Sequence, residues 1–503
     1  MRMLRIASQL VAACSLLLLA APASAAAPWI ESNMPRPHSK FGSVLLQDGD
    51  VLVIGGSSGE PNYLSAQAVE RYDATTGTWS SLADTKGPHL FTDHAAALAD
   101  GRVVAIGTEA SESYDPSTDS WADEPQLFFQ YVTRFGLDVL PDGDLLLTGG
   151  FADFFLSGDA HRIDPTTLIV MLKVTMKGPR ASHTTTMLPN GRVLAAGGWR
   201  WNDESQVFQV KIADAEIFDP ATSDWTWVAP MNFQRDDHRA ALMGDGRVLV
   251  TGGTVIGGTG VEAEIYDPVA NTWTMAPPMS APRINHTMTT LPSGRVMVIG
   301  GDGQASVELY DPATNTWTAL PATATPRRFH SAHYIPGKGV LVVGGSPLPG
   351  IFLDSATTSA ELYPIGTTPL GSACVINEEC ATGTCIGGQC DASDPTGAGG
   401  AGGAGGAGGS GGAGGAGGSG GAGGSGGAGG NGGTGGTGGN GSTGGNGGAP
   451  GGEGGAAGSG GSGSSGGDSG CAAAQGGTSD GMGVFALLGL GLFLRRRNAR
   501  ATR

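Results

Sequence analysis

The chain has 503 residues, of which 90 are glycine, and a formal charge of −17. The first 25 residues carry two Arg and no acid, and the segment from Cys471 carries five Arg and one Asp, which leaves −23 for residues 26–470. So acidic a body repels nucleic-acid phosphates and argues against DNA or RNA as a partner. Residues 397–467 are almost pure Gly, Ala, Ser, Thr and Asn and cannot bury a core. About 340 residues from Trp29 to Pro369 can, and they are too many for one simple sandwich.

Residues 1–25 read as a secretory signal peptide. Arg2 and Arg5 form the basic start, residues 6–20 the apolar middle, and Ala23, Ser24 and Ala25 the small-residue cleavage site, with cleavage expected after Ala25. Cys14 follows a loose lipobox, but the apolar run continues past it to Leu19, as in an ordinary signal.

Residues 26–369 are built from an internal repeat. Gly-Gly pairs close apolar runs at Gly55, Gly149, Gly197, Gly252, Gly300 and Gly344, and a degenerate copy stands at Gly107-Thr108, giving spacings of 52, 42, 48, 55, 48 and 44 residues. Each run follows an Asp-Gly or Ser-Gly type turn, such as Asp245-Gly246, which joins two strands as a hairpin. After the Gly pair come a Glu, an aromatic and Asp-Pro, with a Trp seven residues beyond the aromatic: Tyr72/Trp79, Tyr114/Trp121, Phe218/Trp225, Tyr266/Trp273 and Tyr310/Trp317. Asp-Pro with small polar neighbours marks the turn between strands three and four. Four short antiparallel strands in each of seven units is the arithmetic of a propeller.

This grammar resembles the kelch motif. The resemblance implies an all-β fold, a seven-bladed kelch-type β-propeller over residues 26–369. Two units depart from the pattern: the second lacks the Gly pair, and the third has Ile163-Asp164-Pro165 and no Trp, with residues 170–172 in its place. The third blade is therefore expected to be the least regular. A six-blade reading requires one of these two units to be a loop. Tyr363 has no Trp after it and Trp29 no Tyr before it, so the N-terminal strand is expected to complete the last blade and close the ring.

Repetition also separates scaffold from candidate site. Glu70, Glu112, Glu216, Glu264, Glu308 and Glu361 recur in six units, and a catalytic site needs one or two. Arg180/His183, Arg235/His238, Arg283/His286 and Arg327/His330 likewise recur at repeat spacing, which reads as scaffold, the alternative being an anion-receptive axial channel. The connections between strands two and three are long and unlike one another, spanning residues 57–69, 151–160, 199–215, 254–263 and 346–360. They share one face of the ring, where recognition is expected. Trp199, Arg200, Trp201 and Asn202, with Phe151, Phe154 and Phe155 on the preceding blade, are the candidate binding residues, suited to a sugar face or a protein anchor. The other reading is that these side chains fold back onto their blades.

Catalytic residues are not picked out. Kelch propellers similar to galactose oxidase hold copper beside a Tyr–Cys crosslink, and no Cys lies between Trp29 and Pro369, so that crosslink cannot form. No cofactor and no metal site is expected. The favoured reading is a binding module for an extracellular protein or glycan. The alternatives are a carbohydrate-active enzyme at the axial channel and a structural envelope protein.

Residues 370–395 hold Cys374, Cys380, Cys385 and Cys390 within 17 residues, which in an exported chain implies two disulfides. Three pairings are open and the spacing does not choose; Cys374–Cys385 with Cys380–Cys390 is taken as the working expectation. Zinc is the alternative, without a C-x-x-C pair to support it. Residues 396–470 run in Gly-rich triplets without the Pro of a collagen helix and read as a disordered tether with a reach of about 45–50 Å.

Residues 471–503 combine Cys471, an apolar run at 483–494 and Arg495, Arg496 and Arg497. The run is shorter than the roughly 17–25 residues that a membrane-spanning helix needs. This combination resembles the myxobacterial C-terminal sorting signal. The resemblance implies processing near Cys471, membrane association through this signal and anchoring at the cell surface or outer membrane; the alternative is retention by a single C-terminal membrane segment.

Overall fold

The computed structural model describes residues 29–390 apart from 58–66, 90–93, 108–110, 128–132, 153–154, 203–206, 348–355, 368–373, 382, 384 and 387. The processing residues Ala25 and Cys471, the tether at 396–470 and the segment 471–503 lie outside the described residues.

Seven four-stranded antiparallel sheets form the blades of a β-propeller. From the innermost strand outward, blade 1 is Gly42–Leu45, Val51–Ile54, Val69–Asp73 and Thr78–Ser81, and blade 2 is Ala95–Ala97, Val103–Ile106, Ser111–Asp115 and Ser120–Asp123. Blade 3 is Gly136–Val139, Leu145–Thr148, Asp159–Ile163 and Val170–Thr175, and blade 4 is Thr184–Met187, Val193–Ala196, Ala215–Asp219 and Asp224–Val228. Blade 5 is Arg239–Leu242, Val248–Thr251, Ala263–Asp267 and Thr272–Ala276, and blade 6 is Thr287–Thr290, Val296–Ile299, Val307–Asp311 and Thr316–Leu320. Blade 7 runs Ser331–Ile335, Gly339–Val343, Thr357–Pro364 and, as its outermost strand, Ile30–His38. The innermost strands neighbour one another in order around the ring, and that of blade 7 meets that of blade 1.

The expected closure is present. Ile30 pairs with Leu362, and the Trp29 ring lies 5.0 Å from that of Tyr363, the same pairing as Tyr266 with Trp273 in blade 5. Its indole donates to the Pro321 carbonyl of blade 6 at 3.0 Å, as Trp317 donates to Pro277 and Trp273 to Ala229. Each of these tryptophans therefore ties its blade to the one before.

The short apolar runs follow from this geometry. The second strand of a blade is covered on both faces by neighbouring blades, so Val51–Ile54 and Val248–Thr251 are buried throughout and show no alternation. Seven apolar clusters result, one in each gap between adjacent blades; Val248, Val250 and Tyr266 face blade 4, while Leu249 and Ile265 face blade 6.

Blade 3 is irregular for a visible reason. Without the Trp, its outermost strand shifts register between Arg162 and Ile163 and leaves Ile169, Met171 and Leu172 exposed. Residues 374–390 carry the disulfides Cys374–Cys385 and Cys380–Cys390.

Candidate functional site

The segment leading into each innermost strand decides what the long-loop face can present. Its first residue is scaffold. Arg180, Arg235, Arg283 and Arg327 are fully buried, and each bonds the Glu of its own blade: Glu216, Glu264 and Glu308 at 2.7 Å and Glu361 at 2.6 Å. Each also donates to the first carbonyl of the Gly pair, Gly197, Gly252, Gly300 or Gly344, at 2.6–3.1 Å. Burial lowers the pKa of Arg180, Arg235 and Arg327, and the paired carboxylate opposes that fall. The repeated Glu and Arg are thus occupied inside the blades.

The His of the theme is occupied too. His183, His238, His286 and His330 each bond a Thr of the preceding blade, Thr148, Thr184, Thr251 and Thr287, at 2.9–3.0 Å. Burial drives all four below the ordinary imidazole value, His330 to about 3, so they stand neutral. The Gly pair makes room for them. At Gly300 φ is +61°, and a Cβ there would lie 2.7 Å from the Arg327 carbonyl and 3.0 Å from His330 Cε1.

The third residue of the segment changes from blade to blade. Lys40, Arg134, Ser182, Asp237, Asn285 and Phe329 all adopt left-handed backbone, with φ between 52° and 60°. Their backbones bond across blades around the axis: Lys40 N–H to Phe329 O at 3.3 Å, Ser182 to Arg134 O at 3.0 Å, Asp237 to Ser182 O at 3.3 Å and Phe329 to Asn285 O at 3.2 Å. One position of the repeat, fixed in backbone and variable in residue type, therefore rims the axial mouth. Arg134 spans three blades there, donating to Ser182 Oγ at 2.7 Å and Asp237 Oδ1 at 3.2 Å. Lys40 Nζ lies 4.8 Å from the centre of the Phe329 ring. Next to Asp237, Asp236 is buried and pushed up to about 6, first by desolvation and then by the charge of Asp237, with Lys211 at 3.4 Å opposing.

The long loops rise around this mouth. Trp199–Asn202 and Val207–Lys211 form a hairpin on blade 4, and Phe151–Ala152 and Phe155–Leu156 a smaller one on blade 3. The candidate residues do not form one exposed patch. Trp199 is only 1% exposed, against the expected rim position, and its ring stacks 5.5 Å from Phe151. Its backbone bridges back to the entering segment at Ala181, as Ser57 does to Ser39 and Ser346 to Arg328, and its ring lies against the neighbouring loop of blade 3. Trp201 remains, 38% exposed, and Arg200 pairs with Asp214 at 3.0 Å. Phe154 lies outside the described residues, as do the side chains of Asn202 and Phe155.

Sequence reasoning passed over Ile256, 55% exposed on the blade 5 loop, and the left-handed rim residues. The second residue after each Arg of the repeat was the available signal. On the innermost strand of blade 3, Asp138 is raised to about 6 by desolvation, which a bond to Thr185 on the innermost strand of blade 4 opposes. Among the described residues the one grouping of His, Cys, Asp or Glu close enough to share an ion is Cys374, Cys380 and Cys385, and these are in disulfides.

The comparisons with known proteins agree with this geometry. Residues 40–86, which cover the whole of blade 1, match the Kelch motif model. The ring is a kelch-repeat β-propeller. It is similar to Kelch-like protein 15 of Danio rerio and of Homo sapiens, in each case 24% identical over 260 residues, 46% of this chain and 41% of theirs. It is also similar to the Kelch-like protein terF of Aspergillus terreus, 30% identical over 136 residues, 24% of this chain and 29% of that one. The match thus spans less than half the length of these curated kelch relatives. A solved fungal alcohol oxidase of the AA5 family, in complex with copper, superposes with a TM-score of 0.53 at 16% identity over 68% of this chain and 77% of its own, which shows a shared fold.

Proposed function

We propose that this kelch propeller is the binding head of an exported, surface-held protein and that it grips a protein partner through its long-loop face. The observation that carries this reading is the division of labour within one repeat segment. The Arg and Glu that could do chemistry are buried and bonded to each other, and the His are buried against Thr of the preceding blade, while the neighbouring left-handed position differs in every described blade. Exposed Trp201 and Ile256 flank the axial mouth and can serve as anchors. Export with cleavage after Ala25 fits the two disulfides, which persist in oxidising compartments. Processing near Cys471 then holds the head at the surface.

Photo-crosslinking residues introduced at Trp201, at Ile256 and, as a control, at Val269 on the opposite face test the proposal on intact cells. Protein adducts at the first two positions and none at Val269 support it; adducts at Val269 alone overturn the face. If only a glycan array responds, and Trp201→Ala abolishes the signal, the partner is a glycan. Mass spectrometry of the surface protein tests the anchoring, because an intact Arg503 there contradicts it.

The second reading, a carbohydrate-active enzyme at the channel, draws support from Asp138, whose carboxyl is raised to about 6 and so is suited to proton transfer. It predicts sugar turnover that Asp138→Asn removes.

A further inference from the structure

We propose that the Cys-rich segment is a disulfide-locked clasp on the ring closure, and not a spacer between ring and tether. Residues 374–390 are too few to enclose a core of their own; besides the cysteines, the one buried apolar side chain among their described residues, Ile376, is inserted into the cluster between blades 6 and 7 beside Leu291, Tyr363 and Ile365. The segment therefore stays folded through its two bridges and through docking.

The docking site is the closure itself. The Tyr363 hydroxyl donates to the buried carboxylate of Glu379, which also accepts the Val375 N–H at 2.6 Å. Burial raises Tyr363 and Glu379 alike, and the phenol, kept neutral, remains the donor. Tyr363 is the residue on which Trp29 packs, at 5.0 Å. Two further contacts bracket it: Arg295, in the turn between the first two strands of blade 6, pairs with Glu378, and the Gly366 N–H donates to the Glu378 carbonyl at 2.5 Å.

The outermost strand Ile30–His38 has one hydrogen-bonded neighbour, Thr357–Pro364, and its first turn of packing runs through Trp29 and Tyr363. A strand held at one edge frays before the strands inside it. The clasp fixes the side chain against which that strand begins. With both bridges closed, Glu379 and Ile376 are presented already ordered, so docking costs little conformational entropy. With the bridges open, that ordering must be supplied by docking alone, and the closure loosens with the clasp.

Hydrogen exchange on the mature full-length protein, followed by mass spectrometry with and without an added dithiol, tests this. Each bridge takes up two electrons and two protons from the dithiol, which leaves as its cyclic disulfide, and two thiols result. Peptides over Ile30–His38 and Thr357–Pro364 are expected to exchange about tenfold faster after reduction, while the outermost strand of blade 5, Thr272–Ala276, keeps its rate. No change at Ile30–His38, or an equal gain in every blade, overturns the clasp. Glu379→Ala with both bridges intact is expected to speed exchange in the same two peptides; an unchanged rate there removes Tyr363 as the link.

Discussion

Arg235→Met puts the buried repeat pair to a quantitative test. Arg235 is fully buried, bonds Glu264 at 2.7 Å and donates to the Gly252 and Glu262 carbonyls, both at 3.0 Å. Removing it strands the Glu264 carboxylate, which keeps only the Asn232 N–H and side-chain amide and the Phe233 N–H at 2.6–3.2 Å. Breaking a buried pair by deleting one partner costs about 3–5 kcal/mol. The two abandoned carbonyls account for about 1 kcal/mol each within that figure. Guanidinium unfolding followed by Trp fluorescence, with the slope checked for constancy, reads the loss. Arg235→Met/Glu264→Leu is the decisive second arm. It removes the stranded charge, and its loss is expected to be smaller than that of Arg235→Met alone. A loss below about 1 kcal/mol for Arg235→Met, or a double variant as unstable as the sum of the single changes, would refute the reasoning.

The remaining expectations can be checked with the same unfolding assay. Gly300→Ala must hold Ala at φ +61° against the Arg327 carbonyl and is expected to lose more than about 1 kcal/mol. His330 sits at about 3 when folded against roughly 6.5 unfolded, so the unfolded chain binds more protons between these values and stability falls as pH drops below 6.5. At pH 5 that single group costs about 2 kcal/mol, and His330→Gln is expected to flatten the slope between pH 6.5 and 4. Asp138 has the opposite sign: its folded value of about 6 lies above the unfolded one, so stability is lost as pH rises from 4 to 7. Asp138→Asn is therefore expected to stabilise the ring by up to about 3 kcal/mol at pH 7.5 and by nothing below pH 4. Trp199→Ala is expected to destabilise the protein by about 3–5 kcal/mol, as a buried ring does, while Trp201→Ala leaves stability within about 1 kcal/mol and alters binding.

Most of the fold was legible because each blade repeats the same local chemistry. Gly pairs, the Tyr–Trp spacing and Asp-Pro turns set strand number and blade count, and the orphans Trp29 and Tyr363 announced the closure. The site was less legible. Trp199 and Trp201 look alike in sequence, two aromatic residues flanking one Arg, yet one is buried and the other exposed. Only the fold sets the first ring against Phe151 on the loop of the preceding blade, 5.5 Å away.

From sequence alone came the propeller, its closure and the scaffold role of the repeated Glu, Arg and His. Each rests on spacing along the chain, which a periodic fold preserves. The tertiary structure alone decided which side chains rim the axial mouth, that Arg134 reaches Asp237 across three blades, and that Glu379 clamps Tyr363 at the closure. Those contacts join residues that the ring brings together through its curvature, and no local spacing encodes curvature.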